Sequence, residues 1–145
     1  MISFYSIEKF RISVTKLLKK PKDGYLSVKN DICQVFDLQT IEEIRINREM
    51  IYNEKVFTIV KLRVEDSNRN LSKSNGYRLL YLVLKNEAKV ILLDVFPKQG
   101  KLAKSNITNS ELKYLLANYI SETKSNSLVE HDITKDLEEL PKEEN

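Results

Sequence analysis

Cysteine, histidine and glycine are scarce in this chain, and each scarcity excludes a class of site. The 145 residues include one cysteine, one histidine and three isolated glycines. A single cysteine, Cys33, cannot form an intrachain disulfide and gives no metal-ligand spacing, and its apolar neighbours indicate a core position. This usage favours a reducing, cytoplasmic setting. The glycines do not form a phosphate-binding loop, and we predict neither a cofactor nor a metal site.

Long apolar runs are also absent. The runs at residues 79–84 and 90–93 are much shorter than the roughly 20 residues that a membrane-spanning helix needs. The first seven residues lack the basic start and apolar stretch of a signal peptide. We therefore predict a protein that has no membrane partner.

Charge is unevenly distributed along the chain. The net charge is +3, but residues 121–145 hold eight acidic and three basic residues, which leaves +8 on residues 1–120. A basic body followed by an acidic tail indicates a polyanionic partner for the body. A solvated surface without such a partner is the simpler alternative. The length fits one folded domain, which we place at residues 1–121, followed by a tail at 122–145.

Apolar spacing predicts an N-terminal helical hairpin and then a sheet. Apolar residues recur every three or four positions over residues 7–18 and 25–36, which indicates two helices joined by a short turn. Residues 56–64, 77–84 and 90–96 have strand composition, and their short connections predict antiparallel neighbours. Residues 3–5 fit a short strand. Residues 37–55 fit either a helical turn or a strand, and their structure stays open.

Two capping boxes mark the C-terminal part of the sequence. Thr108 and Glu111 begin a predicted helix, with Ile107 and Leu112 at the positions of a hydrophobic staple. Ser127 and Glu130 form a second box, followed by apolar residues at helical spacing. The tail at 122–145 is therefore predicted to be an acidic amphipathic helix or a disordered segment. The histidine of the chain lies in this tail and is expected at the surface.

Basic residues gather on one predicted sheet face. Side chains alternate along a strand, so Lys61 and Arg63 share a face that Val60 and Val64 do not. Arg78 follows a Ser-Asn-Gly turn, whose residues tolerate a positive φ, and enters from the next strand. This face could bind a chain of phosphates, because the arginine fork makes paired, charge-assisted hydrogen bonds. Alternatively, each cation lies along a strand end or pairs with a nearby acid.

Four segments in this order are typical of one protein family. They are KLRV at 61–64, KSNGYRLLYLV at 73–83, VILLDVFPKQGK at 90–101 and NSELKYLL at 109–116. The pattern resembles the RelE/HigB toxins of bacterial type II toxin–antitoxin modules, over residues 1–121. The resemblance implies an α+β, RelE-like fold, in which an N-terminal helical hairpin packs on a small twisted antiparallel sheet with a C-terminal helix.

The resemblance also implies an activity and its residues. Such toxins are mostly ribosome-dependent messenger-RNA endonucleases, which inhibit translation by cleavage that needs no metal. Their partners are a cognate antitoxin protein, messenger RNA and the ribosome. Catalysis is assigned by the resemblance to four basic residues, which are Lys61, Arg63, Arg78 and Lys98. RNA binding is assigned to three further lysines, which are Lys73, Lys101 and Lys104.

The implied roles follow the chemistry of RNA cleavage. Lys61 would be the base, for which the pKa of the lysine must fall well below about 10.4. Arg63 and Arg78 would stabilise the pentavalent phosphate, and Lys98 would be an acid or a further stabiliser. The tyrosine or histidine that many family members carry near the last strand has no counterpart between Tyr81 and Tyr114.

Two alternatives remain open at the level of the sequence. The same fold is used by ParE-like toxins, which poison DNA gyrase by binding protein, so the chain could be a non-enzymatic or degenerate relative. The acidic tail could also form a helix that folds over the basic face and mimics an antitoxin.

Overall fold

A seven-stranded mixed sheet forms the centre of this α+β protein. The computed structural model describes residues 1–19 and 21–142. Its strands are β1 (Ser3–Ser6), β2 (Met50–Asn53), β3 (Thr58–Val64), β4 (Tyr77–Leu84), β5 (Lys89–Pro97), β6 (Val129–Asp132) and β7 (Glu138–Glu139). Its α-helices are α1 (Glu8–Leu18), α2 (Val28–Phe36), α3 (Ile41–Arg45) and α4 (Asn109–Lys124). Within the described residues, no helix combines the length and apolar character that crossing a membrane requires.

The strand order is β2-β3-β4-β5-β1-β6-β7. The segment β3-β4-β5 is an antiparallel meander, as the short connections predicted. The prediction of a small, wholly antiparallel sheet is wrong in two respects. The sheet has seven strands, and β1 runs parallel to β5. The long connection between β1 and β5 permits either direction of pairing, and short-range patterning does not reveal which one forms.

One sheet face is covered by the first two helices, and we call it the hairpin face. The spacing of apolar residues predicted α1 and α2, and the prediction is confirmed. Phe10 and Val14 of α1 and Ile32 of α2 are buried in one apolar cluster that includes Val60 and Val64 of β3, and α1 packs mainly against β5. Cys33 is buried in the same cluster, as predicted.

The stretch whose structure stayed open contains both a helix and a strand. Thr40 begins α3 with a capping box, in which its hydroxyl accepts from the Glu43 backbone N–H at 3.1 Å. The Thr-x-x-Glu pattern was a readable start signal, but α3 has only five residues, too few to show helical periodicity. The following strand β2 pairs with β3 at the edge of the sheet.

The opposite sheet face is covered by α4, and we call it the α4 face. The predicted capping box is confirmed, because the Thr108 hydroxyl accepts from the Glu111 N–H at 3.1 Å and Glu111 accepts from the Thr108 N–H at 3.0 Å. Leu115 of α4 is buried on Ile59, Leu80 and neighbouring apolar residues of this face. The two staple residues, Ile107 and Leu112, pack against the same cluster.

The tail contains two short strands, β6 and β7, where an amphipathic helix or disorder was predicted, and its residues 143–145 lie outside the described residues. The proposed boundary at 121/122 lies inside α4, and β6 then pairs antiparallel with β1. The prediction of a surface histidine is also wrong, because His131 is 6% exposed. The edge of β1 would otherwise be unpaired, and the tail supplies its backbone hydrogen bonds. Local apolar spacing cannot predict this pairing, because the two segments are far apart in the chain. The order of strands also places β6 and β7 beyond β1, away from β3, so these strands do not cover the predicted basic face.

Candidate nucleic-acid interface

The register of the meander brings the predicted arginines together. Arg63 of β3 lies directly opposite Arg78 of β4, and Arg78 in turn lies opposite Phe96 of β5. Lys61 lies two residues before Arg63 and therefore on the same face. Since Val60 and Val64 pack on the hairpin face, these basic residues lie on the α4 face. They occupy the part of that face near the start of α4.

The turn before Arg78 is held by a close backbone approach. A Cβ on Gly76 would lie 2.1 Å from the carbonyl oxygen of Val64, so only glycine fits. The turn was predicted, but its reason differs, because neither Asn75 nor Gly76 has a positive φ. The Gly76 carbonyl accepts from the Lys98 backbone N–H at 2.8 Å. The glycine therefore ties three segments of the candidate site together.

The guanidinium of Arg78 is buried and bound to the same turn. Its Nη1 donates to the carbonyls of Lys73 and Tyr77 at 3.1 and 3.2 Å, and its Nη2 donates to that of Ser74 at 2.9 Å. Only 7% of the residue is exposed. Burial lowers the pKa of Arg78, and the charge of Arg63 lowers it further. Arg78 therefore organises the turn and adds positive potential from beneath the surface.

Arg63 and Lys61 form the accessible part of the site. Arg63 is exposed, and within the described residues its side chain has neither an ion pair nor a hydrogen bond. The Lys61 ammonium donates to Asn106 Oδ1 at 3.1 Å and lies 3.5 Å from Glu49 Oε1. Both lysine contacts are to exposed side chains, so a phosphate could replace them. Arg63 needs no such displacement.

Two further lysines border this area. Lys98 donates to the Ser105 carbonyl at 3.2 Å, in the segment next to Asn106. The Lys104 ammonium lies 5.5 Å from the centre of the Phe96 ring and pairs with Glu111 of α4. Because Phe96 is the register partner of Arg78, Lys104 borders the arginines. We call the five residues together the basic surface: Lys61, Arg63, Arg78, Lys98 and Lys104.

The remaining two predicted RNA-binding lysines lie differently. Lys73 is exposed on the turn that Arg78 holds, so it lies at the margin of the basic surface. Lys101 lies 3.9 Å from Asp23, a residue between α1 and α2, and 81% of its side chain is exposed. The structure thus brings Lys73 near the site and directs Lys101 toward the helical hairpin.

Three residues of the site were missed by sequence reasoning. They are Asn106, Glu49 and Glu111, which contact Lys61 or Lys104. Glu111 was recognised only as a capping residue, and Glu49 lies in the segment whose structure stayed open. Neither role has a local signal, because Glu49 and Glu111 reach their lysines from other segments, and no helical or strand periodicity relates the partners.

The chemistry available at the basic surface is that of cations. Within the described ranges, no group of three or more His, Cys, Asp or Glu side chains could hold a metal ion. Tyr77 and Tyr81 pack on the hairpin face, and His131 is buried beside β1. The site can therefore bind and polarise phosphate, and the groups that could transfer a proton there are its lysines and the adjoining carboxylates of Glu49 and Glu111.

Comparisons with known proteins do not place the chain in a family. No protein-family model matches it, and a search of curated proteins finds no match either. A function therefore has to be argued from the geometry of the basic surface.

Proposed function

We propose that the chain is a RelE-like toxin, a messenger-RNA endonuclease that acts on the ribosome and inhibits translation. The observation that carries the proposal is the opposition of the exposed Arg63 and the buried Arg78 on the α4 face, with Lys61 beside them. A buried cation beneath an exposed one forms a strongly positive site without a compensating acid on either arginine in the described residues. Such a site suits an RNA phosphate.

Arg63 is the residue best placed to bind the scissile phosphate. Its planar fork is free to make two hydrogen bonds to phosphate oxygens, whereas the Nη atoms of Arg78 already donate to carbonyls. The charge of Arg78 lies in a dehydrated position, where its field is screened less than that of a surface cation. The two arginines then have different roles. Arg63 contacts the pentavalent phosphate, and Arg78 stabilises the negative charge of that phosphate electrostatically.

The proposed reaction uses the neighbouring 2′-hydroxyl as nucleophile. Lys61 accepts the proton as the 2′-oxygen attacks phosphorus, and the bond from phosphorus to the 5′-oxygen breaks. Lys98 returns a proton to that leaving oxygen, which gives a 2′,3′-cyclic phosphate and a 5′-hydroxyl.

The proposed partners follow from the same surface. An antitoxin with acidic side chains would bind the basic surface and block RNA, and messenger RNA would reach it in the ribosomal A site. These events belong to the cytoplasm. The N-terminal hairpin on one face, the central meander and the following α4 support a RelE-like arrangement, while β6 and β7 are additions to it.

A second candidate is a non-enzymatic toxin that acts by binding protein, for example DNA gyrase. The observation in its favour is that the described part of the basic surface contains neither a tyrosine nor a histidine. Lysine at its ordinary pKa of about 10.4 is a poor base near neutral pH. In this candidate the basic surface would bind an acidic protein, and no RNA would be cut.

The test combines growth with mapping of RNA ends. Wild type, Arg63→Ala, Lys61→Ala and Lys135→Ala are induced in a bacterial host, and primer extension is performed on a translated message. Lys135 is exposed next to β6, so its variant controls for loss of one positive charge. We expect arrest and cuts at codon boundaries for wild type and Lys135→Ala, and a loss of both in the other two variants.

Purified components separate the two candidates. Cleavage of ribosome-bound message in the presence of a metal chelator would support the nuclease. Growth arrest without any cut would favour the second candidate, in which the toxin binds a protein target. Equal cutting by Arg63→Ala and wild type would show that the basic surface has no role in cleavage.

A further inference from the structure

A cavity beside the basic surface has a different chemical character. It has a volume of about 290 Å³ and lies between α1 and α4, and we call it the α1–α4 cavity. It is lined by Lys9, Asp94, Ser110, Glu111, Tyr114 and Leu115. None of these residues belongs to the basic surface, and only Glu111 contacts it.

Asp94 presents a carboxylate with one oxygen unused. Its Oδ1 accepts from the Ser13 hydroxyl at 2.5 Å and from the Val95 N–H at 2.9 Å, and Lys9 lies 3.5 Å away. Within the described residues, Oδ2 has no hydrogen-bond partner. Because the side chain is only 8% exposed, a ligand group that enters the cavity would be the natural donor to Oδ2. The carboxylate is fixed in place, so its orientation is set in advance.

Tyr114 gives the cavity an accessible aromatic wall. The residue lies on α4 one position before the buried Leu115 and is 57% exposed. An exposed ring beside a buried hydrogen-bond acceptor is the combination with which proteins bind unstacked bases of single-stranded RNA. The ring stacks on the base, and the acceptor bonds to its edge.

The charges around the cavity decide which part of a nucleotide would enter. Two carboxylates, Asp94 and Glu111, face it, and each is paired with a lysine, Lys9 and Lys104 respectively. The cavity therefore offers no unpaired cation to a phosphate among the described residues, whereas the exposed guanidinium of Arg63 does, so the phosphates would stay on the basic surface. A neutral base that carries N–H donors would be attracted.

The α1–α4 cavity and the basic surface are neighbours. A smaller cavity of about 180 Å³ shares Lys9 and Asp94 with the α1–α4 cavity and is also lined by Phe96 and Lys104. Lys104 belongs to the basic surface, and its partner Glu111 lines the α1–α4 cavity. A single nucleotide strand can therefore place phosphate on one site and a base in the other.

We propose that the α1–α4 cavity binds one unstacked RNA base, with Tyr114 stacking on it and Asp94 Oδ2 accepting from its exocyclic amino group. The inference rests on the proposed RNA function and adds a base-specificity site to it. Adenine and cytosine each carry an exocyclic amino group, which is a hydrogen-bond donor. Uracil carries a carbonyl oxygen at the corresponding position. A carboxylate repels that oxygen, so the site discriminates against uracil.

The experiment measures RNA affinity without cleavage. Short fluorescent 2′-O-methyl homopolymers of A, C and U lack the nucleophilic hydroxyl, and their binding to the full chain is followed by anisotropy at one fixed salt concentration. We expect wild type to bind A and C more tightly than U. Tyr114→Ala is expected to weaken binding of A and C about 5- to 100-fold, because one stacked base is lost.

Matched variants isolate the two contacts. Tyr114→Phe keeps the ring and is expected to bind like wild type, and Ile120→Ala changes another exposed apolar residue of α4 and should have no effect. Asp94→Asn supplies an amide donor and is expected to shift the preference toward U. Thermal unfolding checks that each variant is folded. If Asp94→Asn does not fold, Tyr114→Ala still tests the site.

The results separate this inference from the proposed function. If Arg63→Ala abolishes binding while Tyr114→Ala binds every homopolymer like wild type, the base site is wrong and the RNA-binding surface stands. If wild type binds none of the homopolymers and cuts no translated message, both proposals fall together. Equal affinity of wild type for A, C and U would contradict the role of Asp94.

Discussion

At the scale of single residues, His131 joins the C-terminal strands to β1. Its Nδ1 lies 2.7 Å from the carbonyl oxygen of Leu137, which can only accept, so Nδ1 carries the proton. Nε2 then accepts from the Ser6 hydroxyl at 2.7 Å, and Arg11 donates to the same hydroxyl oxygen at 3.0 Å. The neutral imidazole fits this chain of bonds, whereas a protonated Nε2 would face a hydroxyl that already accepts from Arg11.

The stability of the fold should therefore depend on pH through His131. Burial lowers its pKa from the ordinary value of 6.5, and the charges of Arg11 and Lys29 act in the same direction, while Leu137 and Glu139 oppose it. His131 is therefore protonated at a higher pH in the unfolded chain than in the folded chain. The free energy of unfolding should fall as pH drops below about 6.5. Urea unfolding between pH 7.5 and 5.5 measures this slope.

The control for that prediction is the removal of the only histidine. His131→Gln should be less stable than wild type at pH 7.5, because it loses the matched pair of hydrogen bonds. Its free energy of unfolding should change less than that of wild type over the same pH range. An identical slope in both proteins would show that other groups cause the dependence.

At the scale of elements, the turn between β3 and β4 depends on Gly76. Gly76→Ala would place a methyl group against the Val64 carbonyl, and we expect a loss of about 1–3 kcal/mol in the free energy of unfolding. Lys73→Ala changes an exposed side chain of the same turn and should leave stability unchanged. Chemical denaturation measures both. Unchanged stability of Gly76→Ala would show that the turn relaxes without cost.

The start of α4 should be sensitive to its capping box. Thr108→Ala removes the acceptor of the Glu111 N–H. We expect the free energy of unfolding to fall by about 1 kcal/mol, within the range of roughly 0.5–2 kcal/mol for such caps. Ser121→Ala, in the exposed interior of the same helix, should be neutral or slightly stabilising, because alanine favours helix. Thermal unfolding compares the two, and equal effects would mean that the cap contributes nothing.

Local patterns predicted the elements that local interactions determine. The periodicity of α1 and α2, the strand composition of β4 and the Thr108 capping box each depend on residues close in sequence. The parallel pairing of β1 and β5 and the strand structure of the tail depend on residues more than 80 positions apart. The same division holds at the site, where alternation placed Lys61 with Arg63, but the contacts of Asn106 and Glu49 required the fold.

At the scale of the whole molecule, the tail is part of the core. Leu137 is 3% exposed and packs in the cluster of the hairpin face, whereas nearby Leu140 is 37% exposed. We expect Leu137→Ala to lower the free energy of unfolding by about 2–5 kcal/mol, and Leu140→Ala to change it by less than about 0.5 kcal/mol. Urea unfolding measures both variants. Equal, small effects would contradict a structural role for the tail.

Deletion of residues 127–145 tests the same point on a larger scale. It removes β6 and β7 and leaves β1 with one partner strand, so the loss of stability should exceed that of Leu137→Ala. A shortened chain that is as stable as wild type and more toxic would instead indicate a regulatory tail.

The position of β1 also affects when the protein can fold during its synthesis. Ser3–Ser6 is made first, but it pairs with residues 89–92 on one side and 129–131 on the other. At about 5–20 residues per second, translation needs roughly 6–26 seconds to supply the second partner. Synthesis must therefore pass residue 131 before β1 has both of its partner strands. The complete sheet, and any activity that depends on it, cannot form before that point.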